Sequence, residues 1–341
     1  MPPGGSDFKP AWWCPGPHPQ TILARFIRPV PASLAMRRVR VDTPDGDFID
    51  LDFLDGVDGA PRVILLHGLE GSSEAPYMRS LLGVIARAGW GAVAVNFRGC
   101  SLEPPPGGVI PGRDLNRRKI PNRQPVAYHS GKTDDLDFVM NYLSRTAPCP
   151  VQFLTGFSIG GNIVLKWLGE KGESALAQVK RAAAISVPYD LGQSVVKMDR
   201  GFNRQVYTRA LLRSLKEKIC EKERQFPGIA PVERVLACRT FDAFDNLVTA
   251  PLHGFRDGSD YWSRSSSARY LERIRVPSLL IHAADDPFFP GNLIPEEIIR
   301  DSSFLSLVMP ERGGHLGFVT GASPWNQDLW LEHQIFGYFK G

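Results

Sequence analysis

No window of about 18 apolar residues occurs in these 341 residues, so nothing in the chain predicts a membrane-spanning helix. The first residues, Met1-Pro2-Pro3-Gly4-Gly5-Ser6-Asp7, lack the charged start and apolar run of a secretory leader. Cysteine is sparse. Cys14, Cys100, Cys149, Cys220 and Cys238 are odd in number and scattered, and none forms a CxxC pair, which argues against a zinc site or a disulfide framework. Strong charge of one sign is lacking too. The formal net charge is +4, and the densest basic run, Arg113 to Arg123 with Arg117, Arg118 and Lys119, lies among prolines and glycines. That run reads as a solvated loop rather than a nucleic-acid-binding stripe. Together these absences predict a reduced, soluble, cytoplasmic protein with no nucleic-acid partner. What is plentiful is apolar side chain, at 43% of residues, enough for one large α/β domain or a core with an insertion.

The most informative stretch is Gly156-Phe157-Ser158-Ile159-Gly160-Gly161. Pro150 to Thr155 before it has the short apolar character of a buried strand, and the twelve residues after it read as a helix. A serine between glycines at a strand-to-helix corner is the nucleophile-elbow pattern. The serine backbone there must adopt a sparsely populated conformation, and side chains two residues to either side would clash.

Around this point the chain alternates strands and helices. Met36 to Thr43 and Phe48 to Leu54 flank Pro44-Asp45-Gly46-Asp47, a hairpin signal. Buried-strand runs follow at Arg62 to Leu66, Gly91 to Phe97, Ala182 to Val187, Ser278 to Ala283 and Phe304 to Val308. Helices are predicted over Tyr77 to Ala88 and over Thr133 to Ser144, the latter capped by Thr133 and opened by Asp134 and Asp135. This spacing implies crossover units and a mainly parallel sheet with an antiparallel hairpin at its start. The texture changes between Pro188 and Pro277, where Leu211 to Cys220 reads as a basic amphipathic helix. An insertion here would sit over the carboxyl ends of the strands, and residues 188–277 are expected to form a cap that shapes the pocket. The first forty residues are proline-rich and predict little regular structure, with Trp12 and Trp13 folding back onto the body.

Two motif-like stretches do not qualify. Asp50, Asp52 and Asp55 lack the glycine spacing and closing glutamate of a calcium loop. Ser130-Gly131-Lys132-Thr133 has the tail of a phosphate loop, but Val126 stands where that motif requires glycine.

A serine hydroxyl is a weak nucleophile unless an imidazole takes its proton and a carboxylate orients that imidazole. Asp285 and Asp286 follow the strand Ser278 to Ala283, and His315 lies in a glycine-flanked loop, Gly313-Gly314-His315-Leu316-Gly317, after Phe304 to Val308. The order Ser158, Asp286, His315 is that of α/β-hydrolases. Asp285 and Asp286 point apart from one turn, so only one can reach His315. The remaining histidines, His18, His129, His253, His282 and His333, have no comparable context and are expected on the surface or in the core. The glycine-flanked loop His67-Gly68-Leu69-Glu70-Gly71 at a strand end is the expected source of one oxyanion donor, the N–H of Leu69; the other is the N–H of Ile159. His67 itself is read as holding that loop.

The sequence resembles the YheT-like group of α/β-hydrolases, related to the abhydrolase-domain lipases and the plant embryogenesis-associated proteins. The resemblance rests on His18-Pro19-Gln20-Thr21, His67-Gly68-Leu69-Glu70-Gly71, Asn96-Phe97-Arg98-Gly99-Cys100-Ser101, Tyr128-His129-Ser130-Gly131, the Ser158 elbow with Asn162, Asp285-Asp286-Pro287 and Gly313 to Phe318. It implies a serine carboxylesterase with Ser158, Asp286 and His315 as its triad, acting on small or lipid-like esters without metal or organic cofactor. The spacing of Asp286 to Pro290 is the one usual for the family's acid. An acyltransferase using the same residues and a ligand-binding member without activity are the alternative readings. One region departs from the family pattern: Leu102 replaces a common glycine, and Pro104 to Ile120 looks inserted before Pro121-Asn122-Arg123.

Overall fold

Eight strands form one sheet in the order β10-β9-β8-β7-β4-β5-β3-β2 in the computed structural model, which describes residues 7–103, 109–111 and 118–341. The strands are β1 (Ser33–Ala35), β2 (Arg37–Asp42), β3 (Phe48–Leu54), β4 (Arg62–Leu66), β5 (Gly91–Asn96), β6 (Val109–Pro111), β7 (Gln152–Phe157), β8 (Arg181–Ile185), β9 (Ser278–Ile281) and β10 (Leu305–Val308). β2 and β3 pair antiparallel, as do β3 and β5, and the other pairs of this sheet are parallel. β1 and β6 form a separate antiparallel pair. Most of the Pro104 to Ile120 stretch lies outside the described residues.

The principal helices are α1 (Pro17–Ile27), α2 (Pro76–Arg87), α3 (Thr133–Thr146), α4 (Ile159–Lys171), α5 (Leu191–Met198), α6 (Arg209–Gln225), α7 (Gly258–Ser265) and α8 (Trp330–Lys340). The two-residue period of a strand sorts side chains to opposite faces of the sheet. On β4, Ile64 and Leu66 join a core with Leu136, Met140, Ile163 and Leu165 from α3 and α4. Val63 and Leu65 face the other way, onto Met78 and Leu81 of α2 and Ile335 and Phe339 of α8. Burial on both faces explains why the parallel strands read as continuous apolar runs.

A third apolar cluster belongs to the segment between β8 and β9. Met198, Tyr207, Leu212, Val235, Phe241, Phe244 and Val248 pack there, away from the sheet. Leu271, Ile274 and Val276, at the end of the same segment, return to the sheet-side core.

Three expectations need correction. Residues 17–27 are helical despite the prolines, because Pro17 occupies the first helical position, where no N–H bond is lost. Thr133 is the first residue of α3 rather than its cap; Lys132 precedes the helix and offers no capping side chain. Trp13 folds back as expected, donating to Gly321 O at 3.1 Å, but Trp12 stays 80% exposed with only its indole N–H reaching Ala322 O, and Phe8 joins Trp13 on the body, against Phe318 and Trp330.

Candidate active site

Ser158 stands between β7 and α4 with φ 54° and ψ −121°, a strained backbone for any residue bearing a Cβ. The turn closes only because its neighbours are glycine. A Cβ on Gly156 would lie 2.3 Å from the Gly160 carbonyl oxygen, and one on Gly160 would lie 2.5 Å from that of His67. The first turn of α4 is then tied down by Asn162, whose side-chain amide donates to the carbonyls of Ser130 and Ser265 and accepts from the N–H of Ser267.

The structure brings Ser158, His315 and Asp286 together. Ser158 Oγ lies 3.1 Å from His315 Nε2, and His315 Nδ1 lies 2.8 Å from Asp286 Oδ2. All three residues are buried. The carboxylate fixes the tautomer: Nδ1–H donates to Asp286, which leaves Nε2 to accept from the serine hydroxyl. Asp286 Oδ1 accepts from the N–H groups of Phe288 and Phe289. Burial works to raise the Asp286 pKa, but His315, His282 and these amides together hold it below its ordinary value. Asp285 takes a different position, accepting the Gly314 N–H at 2.9 Å and so bracing the backbone of the histidine loop.

That loop is also gripped by α1. His315 N–H donates to Thr21 Oγ1 at 2.9 Å, Gln20 exchanges hydrogen bonds with the backbone of Val319, and Arg28 donates to the carbonyls of Leu316 and Gly317. The His-Pro-Gln-Thr sequence therefore places the imidazole from a helix nearly three hundred residues away, at |i−j| of 294 for the Thr21 contact. Nothing local in the sequence announces this pairing. Phe288 stacks on the imidazole, ring centroids 4.2 Å apart, and so restricts its rotation.

The loop after β4 is fixed from both sides. His67 Nδ1–H donates to Gly68 O at 2.7 Å and its Nε2 accepts the Phe97 N–H at 3.1 Å. Burial drives the His67 pKa down to about 3, so the ring is neutral, as a residue that holds a loop should be. The amides on either side of Leu69 are bound by phenols: Gly68 N–H donates to Tyr77 and Glu70 N–H to Tyr128, each at 2.8 Å. Leu69, Ser158 and Ile159 line one cavity.

Glu70 is the unexpected centre of this loop. Its side chain is 5% exposed and contacts Lys218 Nζ at 2.6 Å, Lys119 Nζ at 2.7 Å, the Tyr128 hydroxyl at 2.8 Å and the Ser214 hydroxyl. Burial opposes ionisation, but the two ammonium groups outweigh it and hold the Glu70 pKa at about 2. This corrects the reading of the basic run as wholly solvated: Lys119 turns inward because a buried carboxylate requires a cation. Arg118 is exposed and pairs with Glu221, while Arg113 and Arg117 lie outside the described residues.

The cavity that meets Ser158 offers about 150 Å³ to water-sized spheres. Its walls are largely apolar, with Val195, Met198, Leu211, Leu215, Phe244 and Val248 contributed by residues between β8 and β9. His129 and His253 also line it, ring centroids 4.6 Å apart, instead of lying on the surface or in the core. Burial lowers both pKa values, that of His253 to about 4, so both rings are neutral. Asp245 is a third polar group there, pushed up to about 6 by burial. His282 lies behind Asp286, Nε2 to Oδ2 at 4.0 Å, and donates to Phe289 O. The Asp50 and Asp52 carboxylates are paired with Arg40 and Arg38. Among the described residues no group of three or more His, Cys, Asp or Glu side chains is arranged to hold a metal ion.

A mostly parallel eight-stranded sheet, a serine on its strand-to-helix elbow and an acid and a histidine on later loops define an α/β-hydrolase. YheT of Escherichia coli (strain K12) is 33% identical over 97% of this chain and 92% of its own length. Phospholipase ABHD3 of Mus musculus is 27% identical over 97% of this chain and 77% of its own. The chain belongs to the YheT-like family of α/β-hydrolases. No protein-family profile matches it. Among solved structures, the esterase EaEST from Exiguobacterium antarcticum superposes with a TM-score of 0.53 at 18% identity, covering 89% of this chain and 100% of that one, a likeness of fold. No helix among the described residues is long and apolar enough to cross a membrane.

Proposed function

We propose that the protein is a serine hydrolase that cleaves carboxylic esters through an acyl-enzyme, with Ser158 as nucleophile, His315 as general base and acid, and Asp286 as its orienting carboxylate. The observation that carries this reading is the continuous relay from Ser158 Oγ to His315 Nε2 at 3.1 Å and from Nδ1 to Asp286 at 2.8 Å, at the wall of an apolar cavity. In the first step His315 takes the serine proton as Oγ attacks the ester carbonyl. The N–H groups of Ile159 and Leu69 receive the oxyanion, and the tethered amides beside Leu69 keep its loop from having to reorganise. The imidazolium, stabilised by Asp286, then protonates the departing alcohol. Water attacks the acyl-enzyme with His315 again as base and releases the acid.

Residues 188–277 act as the cap of this site, supplying most of the apolar wall. Such a wall suits the acyl chain of a lipid-like ester, and the relative named a phospholipase supports that class of substrate. The test is labelling with a fluorophosphonate probe alongside turnover of p-nitrophenyl esters of graded acyl length. Labelling at Ser158, and turnover that rises with acyl length and is lost in Ser158→Ala, are expected. Equal turnover by that variant would refute the assignment.

A further inference from the structure

The helices that wall the cavity with apolar side chains carry a different chemistry on their outer face. Between Val196 and Arg213 stand Lys197, Arg200, Arg204, Arg209 and Arg213, with Asp199 as the single acid. Five cations against one carboxylate leave +4, as much as the formal net charge of the whole chain. All five cations are exposed. Among the described residues none of the five forms an ion pair, in contrast to Arg38, Arg40 and Arg98 beside the sheet. Asp199 forms no ion pair with them; its two oxygens accept the N–H groups of Phe241 and Asp242.

Exposed apolar side chains lie among these charges. Val196 is 49%, Phe202 47% and Val206 37% exposed. Phe202, Val206, Arg209 and Arg213 recur at spacings of four, three and four, and so run along one face from the π-helical turn Arg204–Thr208 into α6. The patch continues onto α1: the Phe202 ring lies 4.2 Å from that of His18, and Ile22, one turn on, packs against the same helical cluster. A further turn along stands Phe26, 52% exposed, with Arg25 exposed beside it.

We propose that this face docks on the surface of an anionic phospholipid bilayer. Unpaired guanidinium groups answer the negative headgroups, and the phenyl and valyl side chains between them enter the boundary of the acyl region, the pattern of an interfacial amphipathic segment. A nucleic acid would meet the same charges but offers no apolar layer for Phe202, Val206 and Phe26. Docking places the outer wall of the cavity, through Val195, Met198, Leu211 and Leu215 on the inner side of the same helices, next to the lipid phase. The surface stands independently of the hydrolytic assignment, since none of the docking residues lines the cavity.

The experiment is flotation of the full chain with vesicles of phosphatidylcholine alone and of phosphatidylcholine mixed with phosphatidylserine, at low and physiological salt, with heparin as a soluble polyanion control. Binding is expected for the mixed vesicles only, weakened by salt, and roughly 30-fold lower in Arg209→Gln/Arg213→Gln, the combined effect of removing two surface cations. Phe202→Ser/Val206→Ser should weaken vesicle binding while leaving heparin capture unchanged. Both double variants should hydrolyse a short soluble ester at the wild-type rate, which reports folding and the catalytic assignment separately. Equal binding to both vesicle types, indifference to the arginine variant, or capture by heparin without vesicle binding would overturn the proposal.

Discussion

Asp286 and Glu70 both stand beside the Ser158 cavity, both are almost fully buried, and both are held below the ordinary carboxylate range, yet their partners differ in kind. Asp286 faces an imidazole and two backbone amides. Glu70 faces two ammonium groups, a phenol and a hydroxyl. An imidazole becomes a cation when it takes the serine proton, so a carboxylate paired with it stabilises a charge that forms only during reaction. Ammonium groups stay charged, so a carboxylate between two of them serves as a fixed joint. Glu70 joins the loop after β4 to Lys119 and to Lys218 and Ser214 of α6, three parts of the chain that share no secondary structure. One carboxylate is suited to chemistry and the other to architecture, and the difference is set by neighbours rather than by burial.

The sharpest way to break this comparison is Asp286→Asn. We expect kcat to fall about 10⁴-fold with KM little changed, because an amide no longer holds His315 in the tautomer that accepts the serine proton. Its unfolding free energy should change less than that of Glu70→Gln. The second variant leaves two inward-turned ammonium groups without their anion and should cost about 3 kcal/mol in urea unfolding. Adding Lys218→Met to Glu70→Gln should cost less than the sum of the single changes, since each removes the other's charged partner. Strict additivity would mean that the pair is not coupled. In activity, Glu70→Gln should lower kcat/KM by only about tenfold to 100-fold, through a displaced Leu69 amide.

The smallest effect expected is on acid stability. His67 has its pKa lowered to about 3 in the fold, so it contributes stability above its ordinary 6.5 that is lost as pH falls toward 3. Glu70, lowered to about 2, contributes stability above its ordinary 4.5 that is lost as pH falls toward 2. Unfolding free energy should therefore decline in two stages, first below about pH 6.5 and more steeply below about pH 4.5. Measured from pH 7.5 downward, Glu70→Gln should make the second stage shallower, with Asp286 and Asp45 still contributing to it, and keep the first.

Much of the sheet was legible because buried parallel strands are apolar on both faces, so β4, β5, β7, β8 and β9 stand out as short runs bounded by turn residues. The elbow was legible for steric reasons: close backbone approach at Gly156 and Gly160 admits no side chain, and that requirement is local. Helix α1 was missed because proline density was weighed without its position. Residues 204–208 form a π-helical turn whose hydrogen bonding depends on packing rather than on any residue pattern. His129 and His253 were missed because a cavity is a property of several segments at once. Glu70 was missed for the same reason, since Lys119 and Lys218 lie 49 and 148 residues away.

Sequence by itself determined the alternation of strands and helices, the sharp corner at Ser158 and the order in which a hydroxyl, an acid and an imidazole occur along the chain. These are consequences of local sterics and of side-chain periodicity, which each segment carries with it. Tertiary structure alone decided that Asp285 braces the histidine loop at Gly314, that α1 holds that loop from the other side, and that two lysines converge on Glu70. Those outcomes turn on directions and distances between segments remote in the chain, and only packing the helices against the sheet sets them.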